Sequence, residues 1–429
     1  MVPEKIRKSG RVPALHCEHS RYSDLYHCRM NARNIFGNRS QDLGHWKNEG
    51  TLQRALSCRV VPYSTEHKPL VAELQRHLWS PDERLNASYL EWKYHQNPYI
   101  SDPLIYLAFV GDKLVGMRGA CASRWEVGNP AEFFTLPYPD DLVIDPAYRG
   151  EGLHRVIMNF ALRDLAERGY RYVVNLSASP VTARASMNMQ WRNAGRVESL
   201  YRRTLRKATA DLLTDRARRL PLVWRWADKS SALSGRSGGH LFDRLDARLS
   251  VPDQWRDTGS VFAQSTPLIS EMSQLVAHLP RDGRIRHVRD ETFFAWRFSN
   301  PLCNYRFLYV GRERLRGYIV LQQSPDLTGD RASIVDWEGE SDQVRAELLS
   351  AAVEHGEFPE LSIWQLGASP AAAQLVDHYG FKSIRARHEK SVLVRSARDD
   401  ELNALWTLGG RRLDDAHQWD LRMIYSMVG

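Results

Sequence analysis

Apolar residues recur along this chain at two spacings, and the change from one spacing to the other predicts strands followed by helices. The apolar, β-branched run at 141–144 predicts a strand, which Pro146 ends because proline cannot donate to a β-ladder. From Gly152 to Gly169, apolar residues fall three or four apart, which predicts an amphipathic helix. The run at 170–176 predicts the next strand.

The turn between this strand and this helix has the composition of a phosphate site. Gly150 and Gly152 remove Cβ atoms where the backbone must bend and approach a ligand. A helix that starts at Gly152 directs unpaired N–H groups and its positive dipole end into the turn. Arg149 adds a cation with several donors. The predicted diphosphate-binding residues are Arg149, Gly150, Glu151, Gly152, Leu153 and His154.

A dinucleotide-binding glycine fingerprint is the competing interpretation of these glycines. That fingerprint needs a third glycine and an acidic residue about 20 positions later, on the next strand. The following strand carries Asn175 instead of a carboxylate. We therefore discount a dinucleotide site.

Three segments of the first half recur, in the same order, in the second half. The Trp92 segment is echoed around Trp296 at an offset of 204 residues, and a hairpin pattern follows each tryptophan. Residues 175–180 match 365–370 at an offset of 190. The chain is therefore predicted to be a tandem of one α/β unit.

The second copy lacks the phosphate turn. Ungapped alignment sets Glu340 against Arg149 and Gln343 against Gly152, and Glu338 contributes a further negative charge. Asp342 adds another negative charge, and these charges would repel a diphosphate. Only the first copy is expected to bind a phosphorylated ligand.

Residues 149–154 resemble motif A of the GCN5-related N-acetyltransferase (GNAT) superfamily, Arg/Gln-x-x-Gly-x-Gly/Ala, and the resemblance covers roughly residues 58–205. His154 departs from the small residue usual at the sixth position. The resemblance implies an acyl-coenzyme A donor, with its diphosphate on the turn and its pantetheine arm beside 142–144. It also implies that the backbone N–H groups of Val143 and Ile144 polarise the thioester carbonyl, and that Ser179 contacts the coenzyme.

Acyl transfer to an amine needs a base and, in many family members, a tyrosine acid. We favour Asp141 and then Asp140 as the base, because both lie at the start of the ligand-binding strand and flank the expected acceptor cleft; either could instead be a solvated turn residue. The family's tyrosine position holds Ser186 in one alignment and Trp191 in another. The possible substitutes are Tyr148, Tyr138 and Ser179.

These patterns predict an α/β (α+β) fold of two tandem GNAT-like domains, each a mixed twisted sheet flanked by helices. The predicted segments are a poorly ordered N-terminal extension (1–55), an acyltransferase domain with the acyl-CoA site (56–202), a helical or flexible linker (203–255), a degenerate GNAT-like domain (256–398) and a C-terminal segment (399–429).

Composition agrees with a soluble enzyme without a metal. The 429 residues are 43% hydrophobic and 26% charged, and the five cysteines are scattered, which favours a reducing cytoplasm. The net charge of +8 comes without an aromatic-interleaved motif, so nucleic acid is not expected. No membrane contact is expected, although 220–226 resembles an interfacial segment. The cluster His16, Cys17, His19, His27 and Cys28 fits no standard zinc spacing, so no metal is expected.

The sequence therefore predicts a cytoplasmic N-acyltransferase that takes acetyl-CoA, or another acyl-CoA, and acylates an amine of a small metabolite or amino sugar. A non-catalytic coenzyme A-binding regulatory protein and an aminoacyl-type transferase of cell-envelope biosynthesis are the alternatives. The residues that line an aromatic acceptor groove, or else belong to the core, are Trp92, Tyr94, Phe133, Phe134 and Tyr138.

Overall fold

The structure is a computed structural model that describes most of the chain after residue 57. The described residues are 58–209, 241–249, 260–323, 331–366, 368–383 and 390–426. They belong to one compact unit. The predicted extension at 1–55 and most of the predicted linker lie outside the described residues.

The first half alternates strands and helices as the periodicity predicts. Its strands are β1 Arg59–Pro62, β2 Leu104–Val110, β3 Lys113–Val127, β4 Glu132–Ile144, β5 Tyr172–Ala178 and β6 Arg192–Arg203. Its helices are α1 Lys68–Leu74, α2 Glu83–Leu90, α3 Leu153–Glu167 and α4 Pro180–Met187. The predicted strand, turn, helix and strand are β4, the turn, α3 and β5.

The second half repeats the alternation. Its strands are β7 Phe262–Gln264, β8 Ile285–His287, β9 Asn304–Gly311, β10 Leu315–Gln323, β11 Arg331–Gly339, β12 Glu360–Gln365, β13 Lys382–Ser383 and β14 Lys390–Ser396, followed by β15 Thr407–Leu408, β16 Arg411–Arg412 and β17 Trp419–Asp420. Its helices are α5 Asp243–Arg248, α6 Ile269–His278, α7 Glu291–Phe298, α8 Asp342–Gly356 and α9 Pro370–His378.

The central strands of the first half separate between β4 and β5. β4 pairs with β3 in a six-stranded sheet, whereas β5 belongs to a nine-stranded sheet. No ladder joins β4 to β5 among the described strands. Their counterparts in the second half, β11 and β12, do pair in parallel, through Arg331–Ile334 and Glu360–Ile363. The edge of β4 that faces β5 is therefore open in the first half, whereas the equivalent edge of β11 in the second half is partly paired with β12.

The halves exchange strands at their junction. The start of β6 pairs with β14, which inserts between β5 and β6. The end of β6, residues 198–203, pairs instead with β12 of the second half. The sheet of each half thus includes a strand from the other half. The predicted tandem α/β fold is confirmed. The predicted domain boundaries remain predictions.

The two recurrent tryptophans meet between the halves. The Trp92 and Trp296 rings stack with centroids 5.2 Å apart at 13°. Trp92 Nε1 donates to Trp296 O at 2.6 Å, and Trp296 Nε1 donates to Trp92 O at 2.9 Å. This reciprocal contact shows that both tryptophans have a packing role between the halves.

Helix α3 is held against the sheet by the predicted apolar face. Leu153, Ile157 and Leu165 are each at most 1% exposed and pack with residues of β2 and β3. Full burial of such a side chain stabilises a fold by about 1.5–3 kcal/mol. The packing fixes the N-terminus of α3 beside the end of β4.

Candidate functional site

The turn before α3 has the backbone geometry that its glycines predict. Gly150 and Gly152 have φ values of +83° and +71°, in the left-handed region that favours glycine. Asp145 shapes the entry to the turn, because its Oδ1 accepts from Ala147 N at 2.9 Å. A Cβ at Gly150 would meet no atom within 4 Å, so this side of the turn is open to a ligand.

The N-terminus of α3 has no side-chain cap. Its N-cap is Gly152, which offers no acceptor to the first N–H groups of the helix. The corresponding helix of the second half, α8, is capped by Ser341, whose Oγ accepts from Val344 N at 3.3 Å. Of these two equivalent helices, α3 therefore leaves its first N–H groups without a side-chain cap, where an external anion can bind them, and α8 does not.

The predicted contact residues of the turn differ in exposure. Arg149 is exposed, and its Nε donates to Ile144 O at 3.1 Å, which holds the guanidinium beside the end of β4. Leu153 is buried in the core and Glu151 is 8% exposed, so a ligand would meet mainly their backbone. His154 is half-buried; burial, together with Arg155 and Arg118, lowers its pKa and favours the neutral imidazole.

A β-bulge interrupts β4 just before the predicted ligand strand. Arg118 pairs with Leu142 and Ala120 with Pro139, so Asp140 and Asp141 together oppose one residue of β3. Beyond the bulge, the N–H of Asp145 donates to Val115 O of the neighbouring strand.

Along an antiparallel strand, the N–H groups of successive residues point alternately towards one neighbouring strand and away from it, which fixes the direction of each N–H group in the rest of β4. The N–H of Val143 faces β3, as that of Asp145 does, whereas the N–H groups of Leu142 and Ile144 face the open edge. Of the two predicted polarising groups, Ile144 therefore faces the cleft and Val143 does not, and Leu142 is an additional donor that the sequence did not indicate.

The two candidate bases share one buried lysine. Lys93 Nζ donates to Asp140 Oδ2 at 2.6 Å and to Asp141 Oδ1 at 2.8 Å, and Tyr94 Oη donates to Asp141 Oδ2 at 2.9 Å. The Asp141 side chain is fully buried, whereas that of Asp140 is 15% exposed. Burial raises the pKa of Asp141, with Lys93 opposing the shift. The geometry thus reverses the order of the two candidates, because a base must reach the substrate or a water.

The sequence analysis missed Lys93 as the partner of both acids. Burial acts to lower the pKa of Lys93, but Asp140 and Asp141 raise it well above its usual value. A signal was present in the repeat, since a basic residue follows the recurrent tryptophan in both halves, as Lys93 and as Arg297.

The position of the missing family tyrosine is settled by backbone geometry. Gln190 has a φ of +65°, which corresponds to Gly380 at +80°. Trp191 N donates to Ser186 O at 3.3 Å, and Phe381 N makes the equivalent bond at 3.2 Å. The alignment that places Ser186 at the acid position is therefore the correct one, and this serine is 7% exposed.

The remaining predicted polar candidates have structural partners. Ser179 caps α4, since its Oγ accepts from Thr182 N at 3.2 Å, and Ser369 caps α9 in the same way. Tyr138 is 4% exposed within the core, whereas Tyr148 is half-buried beneath the Lys113 ammonium. The contact predicted between Ser179 and the coenzyme remains a prediction.

Most of the predicted aromatic groove belongs to the core. Trp92 and Tyr94 are at most 2% exposed, and Tyr138 is buried with them. Phe133 is 49% exposed and lies under the Arg124 guanidinium, 4.4 Å from its ring centroid. Among these residues, Phe133 therefore offers the largest exposed ring surface to an acceptor.

The second half has lost the turn itself. Eight residues, 145–152, separate β4 from α3, but only Glu340 and Ser341 separate β11 from α8. The ungapped alignment is wrong here, because Gln343 lies inside α8 and not in a turn. The helix begins almost at once after the strand, so no backbone is left to surround a diphosphate.

The acidic residues of the second half are balanced by arginines. Although burial acts to raise it, Arg316 and Arg314 hold the pKa of Glu340 below its usual value. Glu338 Oε1 accepts from Arg289 at 2.6 Å, and Asp342 pairs with Arg345. The shortened turn, more than charge repulsion, therefore removes the phosphate site.

The C-terminal segment lies across the corresponding cleft of the second half. Arg422 Nη1 donates to Trp337 O of β11 at 2.6 Å, and Leu421 forms a β-bridge with Leu366, just after β12. A pocket of about 280 Å³ remains beside it. Further along, Ser426 Oγ donates to Ser177 Oγ of β5 at 3.1 Å, so the segment reaches the first half as well.

Metal sites and membrane-spanning helices are two further features for which the described residues can be examined. No group of three or more His, Cys, Asp or Glu side chains is arranged there to hold a metal ion. No helix in this part of the chain is both long and apolar enough to cross a membrane. The predicted histidine–cysteine cluster at 16–28 and the segment 220–226 lie outside the described residues.

Comparisons with known proteins show what the fold of this chain is similar to. No curated protein matches the chain. A probable N-acyltransferase of unknown function from Enterococcus faecalis V583 shares the fold with a TM-score of 0.52 at 11% identity, over 79% of this chain and 72% of that one. A GCN5-related N-acetyltransferase from Anabaena variabilis gives 0.48 at 13% identity, over 80% and 73%. A tandem GNAT protein of clavulanic acid biosynthesis gives 0.49 at 11% identity, over 80% and 99%.

The family model for the acetyltransferase (GNAT) domain matches residues 62–185. This range contains the β4 bulge, the uncapped turn and helix α3. Acyl transfer from coenzyme A thioesters is the general chemistry of this family. The match therefore identifies residues 62–185 as similar to the GNAT acetyltransferase domain.

Proposed function

We propose that the protein is an acyl-CoA-dependent N-acyltransferase whose first half is active and whose second half is a scaffold. The donor is acetyl-CoA or another acyl-CoA, and the acceptor is an amine of a small metabolite or amino sugar. The observation that carries the proposal is the uncapped, glycine-shaped turn at 149–152 beside the open edge of β4. The second half lacks both features.

The open strand edge supplies the electrophilic part of the mechanism. The diphosphate binds to the N–H groups of the turn and to Arg149, which fixes the pantetheine arm along β4. The N–H groups of Leu142 and Ile144 then donate to the thioester carbonyl and stabilise the developing oxyanion. Orientation of the amine against this carbonyl supplies much of the remaining rate enhancement.

Asp140 is the base in this proposal. It lies in the bulge that precedes the ligand strand and keeps some solvent access, so it can accept the ammonium proton directly or through one water. The leaving thiolate departs without a phenol, because Ser186 occupies the acid position and a thiol pKa near 8.5 makes strong acid assistance unnecessary.

A coenzyme A-binding protein without turnover is the second candidate, favoured by the absence of a phenol at the acid position. The uncapped turn would support binding in either case, so the two candidates differ in chemistry and not in affinity. An aminoacyl-type transferase is the third candidate, and the intact phosphate turn argues against it.

Two measurements test the proposal. Calorimetric titration with acetyl-CoA should show one site per chain, and a panel of amines should release free coenzyme A from acetyl-CoA in the presence of the protein. Binding without thiol release for every amine would favour the non-catalytic candidate. Absence of binding would refute the proposal.

A further inference from the structure

Arg118 is a buried cation of the first half that forms no ion pair or side-chain hydrogen bond with the described residues. Its side chain belongs to β3 opposite Leu142, and the residue is only 7% exposed. Its Nε is buried without a hydrogen bond, and no carboxylate among the described residues forms an ion pair with it. An unpaired buried charge is costly, so such residues are retained where they meet a ligand or a charge elsewhere.

Arg118 lies on the face of β3 that packs against α3, next to the β4 bulge. Side chains alternate along a strand, so Arg118 shares a face with Gly116, where an added Cβ would meet Ile157 of α3 at 3.0 Å. Burial lowers the pKa of Arg118 while the charge of Asp140 opposes the shift, and Arg118 in turn contributes to lowering the pKa of His154. Because Arg118 pairs with Leu142, one of the proposed donors to the thioester carbonyl, it lies beside the position proposed for the reacting thioester.

A second cation interacts electrostatically with Asp140. Lys390, at the start of β14, is half-buried and forms no ion pair with a described residue. Burial lowers its pKa and the charge of Asp140 opposes this shift. Since Lys93 already pairs with Asp140 and Asp141, Arg118 and Lys390 leave an excess of positive charge around the cleft.

The second half has no charge at the equivalent position. Gly317 pairs with Gly339 there, as Gly116 pairs with Ile144 in the first half. Two residues further along the strand, the counterpart of Arg118 is Ile319, which is fully buried. The buried arginine therefore accompanies the phosphate turn and is not a requirement of the strand pairing.

We propose that Arg118 binds a carboxylate that a substrate carries close to its reacting group. This inference rests on the proposed acyl transfer. The carboxylate has two possible sources: the acyl group of a dicarboxylic acyl-CoA, or an acceptor whose amine lies beside a carboxylate, as in an amino acid. In either case the planar guanidinium can form two parallel hydrogen bonds to the carboxylate and regain a partner for its charge.

The experiment compares matched ligands on the wild-type protein, Arg118→Met and Arg118→Lys. The donor arm measures calorimetric affinities for coenzyme A, acetyl-CoA and succinyl-CoA. The acceptor arm measures KM in the thiol-release assay for free L-amino acids against their carboxamides. A melting curve of each variant without ligand reports whether Arg118 supports the fold.

We expect the wild-type protein to prefer the carboxylate in one arm by about tenfold or more. Arg118→Met should abolish this preference, retain the affinity for coenzyme A and melt no lower than wild type. Arg118→Lys should retain the fold and lose most of the preference, since lysine lacks the planar fork.

Three results would overturn the inference. The first is no preference for the carboxylate in either arm. The second is an equal loss of affinity for all three coenzyme A ligands in Arg118→Met, which would assign the guanidinium to the coenzyme phosphates. The third is a lower melting temperature in both variants with ligand preferences unchanged, which would make Arg118 a structural counter-charge. Failure of the wild type to bind coenzyme A at all would instead refute the proposed function.

Discussion

Adjacent acids in the β4 bulge have different environments, and this difference separates catalysis from stability. Asp140 retains solvent access, whereas Asp141 is enclosed with both oxygens bonded. We expect Asp140→Asn to lower kcat at least tenfold while acetyl-CoA affinity stays unchanged, because removal of a general base typically costs a factor of about 10²–10⁴. Thiol release and calorimetry measure the two quantities.

The matched control is Asp141→Asn, which should mainly destabilise the protein, by about 3 kcal/mol, because it removes one partner of a buried ion pair. Denaturant unfolding measures this loss. If Asp141→Asn stopped turnover without loss of stability while Asp140→Asn remained active, Asp141 would be the base.

Gln190 occupies a backbone conformation that favours glycine. Its φ of +65° lies in the same left-handed region as the +80° of Gly380 in the other half, and its side chain is exposed. A non-glycine residue in the left-handed region costs about 1 kcal/mol. Gln190→Gly is therefore expected to raise the free energy of unfolding by up to about that amount, measured by denaturant titration, and Gly380→Gln to lower it. If Gln190→Gly lowered the free energy of unfolding instead, the backbone of Gln190 would not be strained in the wild-type protein.

Among single residues, the sequence predicted those whose role depends on residues adjacent to them in the chain. Gly150 and Gly152 were predicted because a strand-to-helix turn needs their φ values, and both have them. Lys93 was not predicted as the partner of Asp141, because the two are 48 positions apart and meet only through strand pairing.

Capping distinguishes the two equivalent helices more sharply than residue identity does. An eight-residue turn that ends at the N-cap Gly152 precedes helix α3, whereas only two residues precede α8, the second of which is its cap, Ser341. The sequence predicted loss of the site in the second half, but attributed it to Glu340 and Gln343. An ungapped alignment cannot register a shortened turn, so the physical cause appeared only in the structure.

Strand β8 contains a histidine whose burial makes stability depend on pH. His287 is enclosed by aromatic rings, and burial lowers its pKa to about 3. The unfolded value is near 6.5, so the neutral form is favoured by folding: this contribution is complete above pH 6.5 and is lost as the pH falls towards 3.

Between pH 6.5 and 5, we expect the wild-type protein to lose about 2 kcal/mol of unfolding free energy through His287. His287→Gln should lose correspondingly less over this interval. Equal pH dependence of the two proteins in urea titrations would show that His287 is readily protonated in the folded state.

For the whole molecule, strand exchange makes the halves interdependent. β14 of the second half completes the sheet of the first, and β6 extends into the second. A fragment of residues 58–209 lacks β14, which leaves the edges of β5 and β6 unpaired and prone to aggregation. We expect this fragment alone to be unfolded or aggregated by circular dichroism and gel filtration.

Co-expression with residues 241–429 should restore a soluble complex. A monomeric, cooperatively melting 58–209 fragment would contradict the structural importance of the exchange. The repeat in the sequence predicted two copies of one unit, but it could not predict the exchange, because pairing between strands distant in sequence leaves no local pattern.

The central claim is that one half of the molecule binds the acyl donor, through the turn at 149–152. Calorimetric titration of acetyl-CoA into wild type, Arg149→Ala and Glu340→Ala tests it most directly. Loss of a charge-assisted contact of about 1.5 kcal/mol predicts that Arg149→Ala binds roughly tenfold more weakly. Glu340→Ala should bind as wild type does. Unchanged affinity in Arg149→Ala, or lost affinity in Glu340→Ala, would contradict the account.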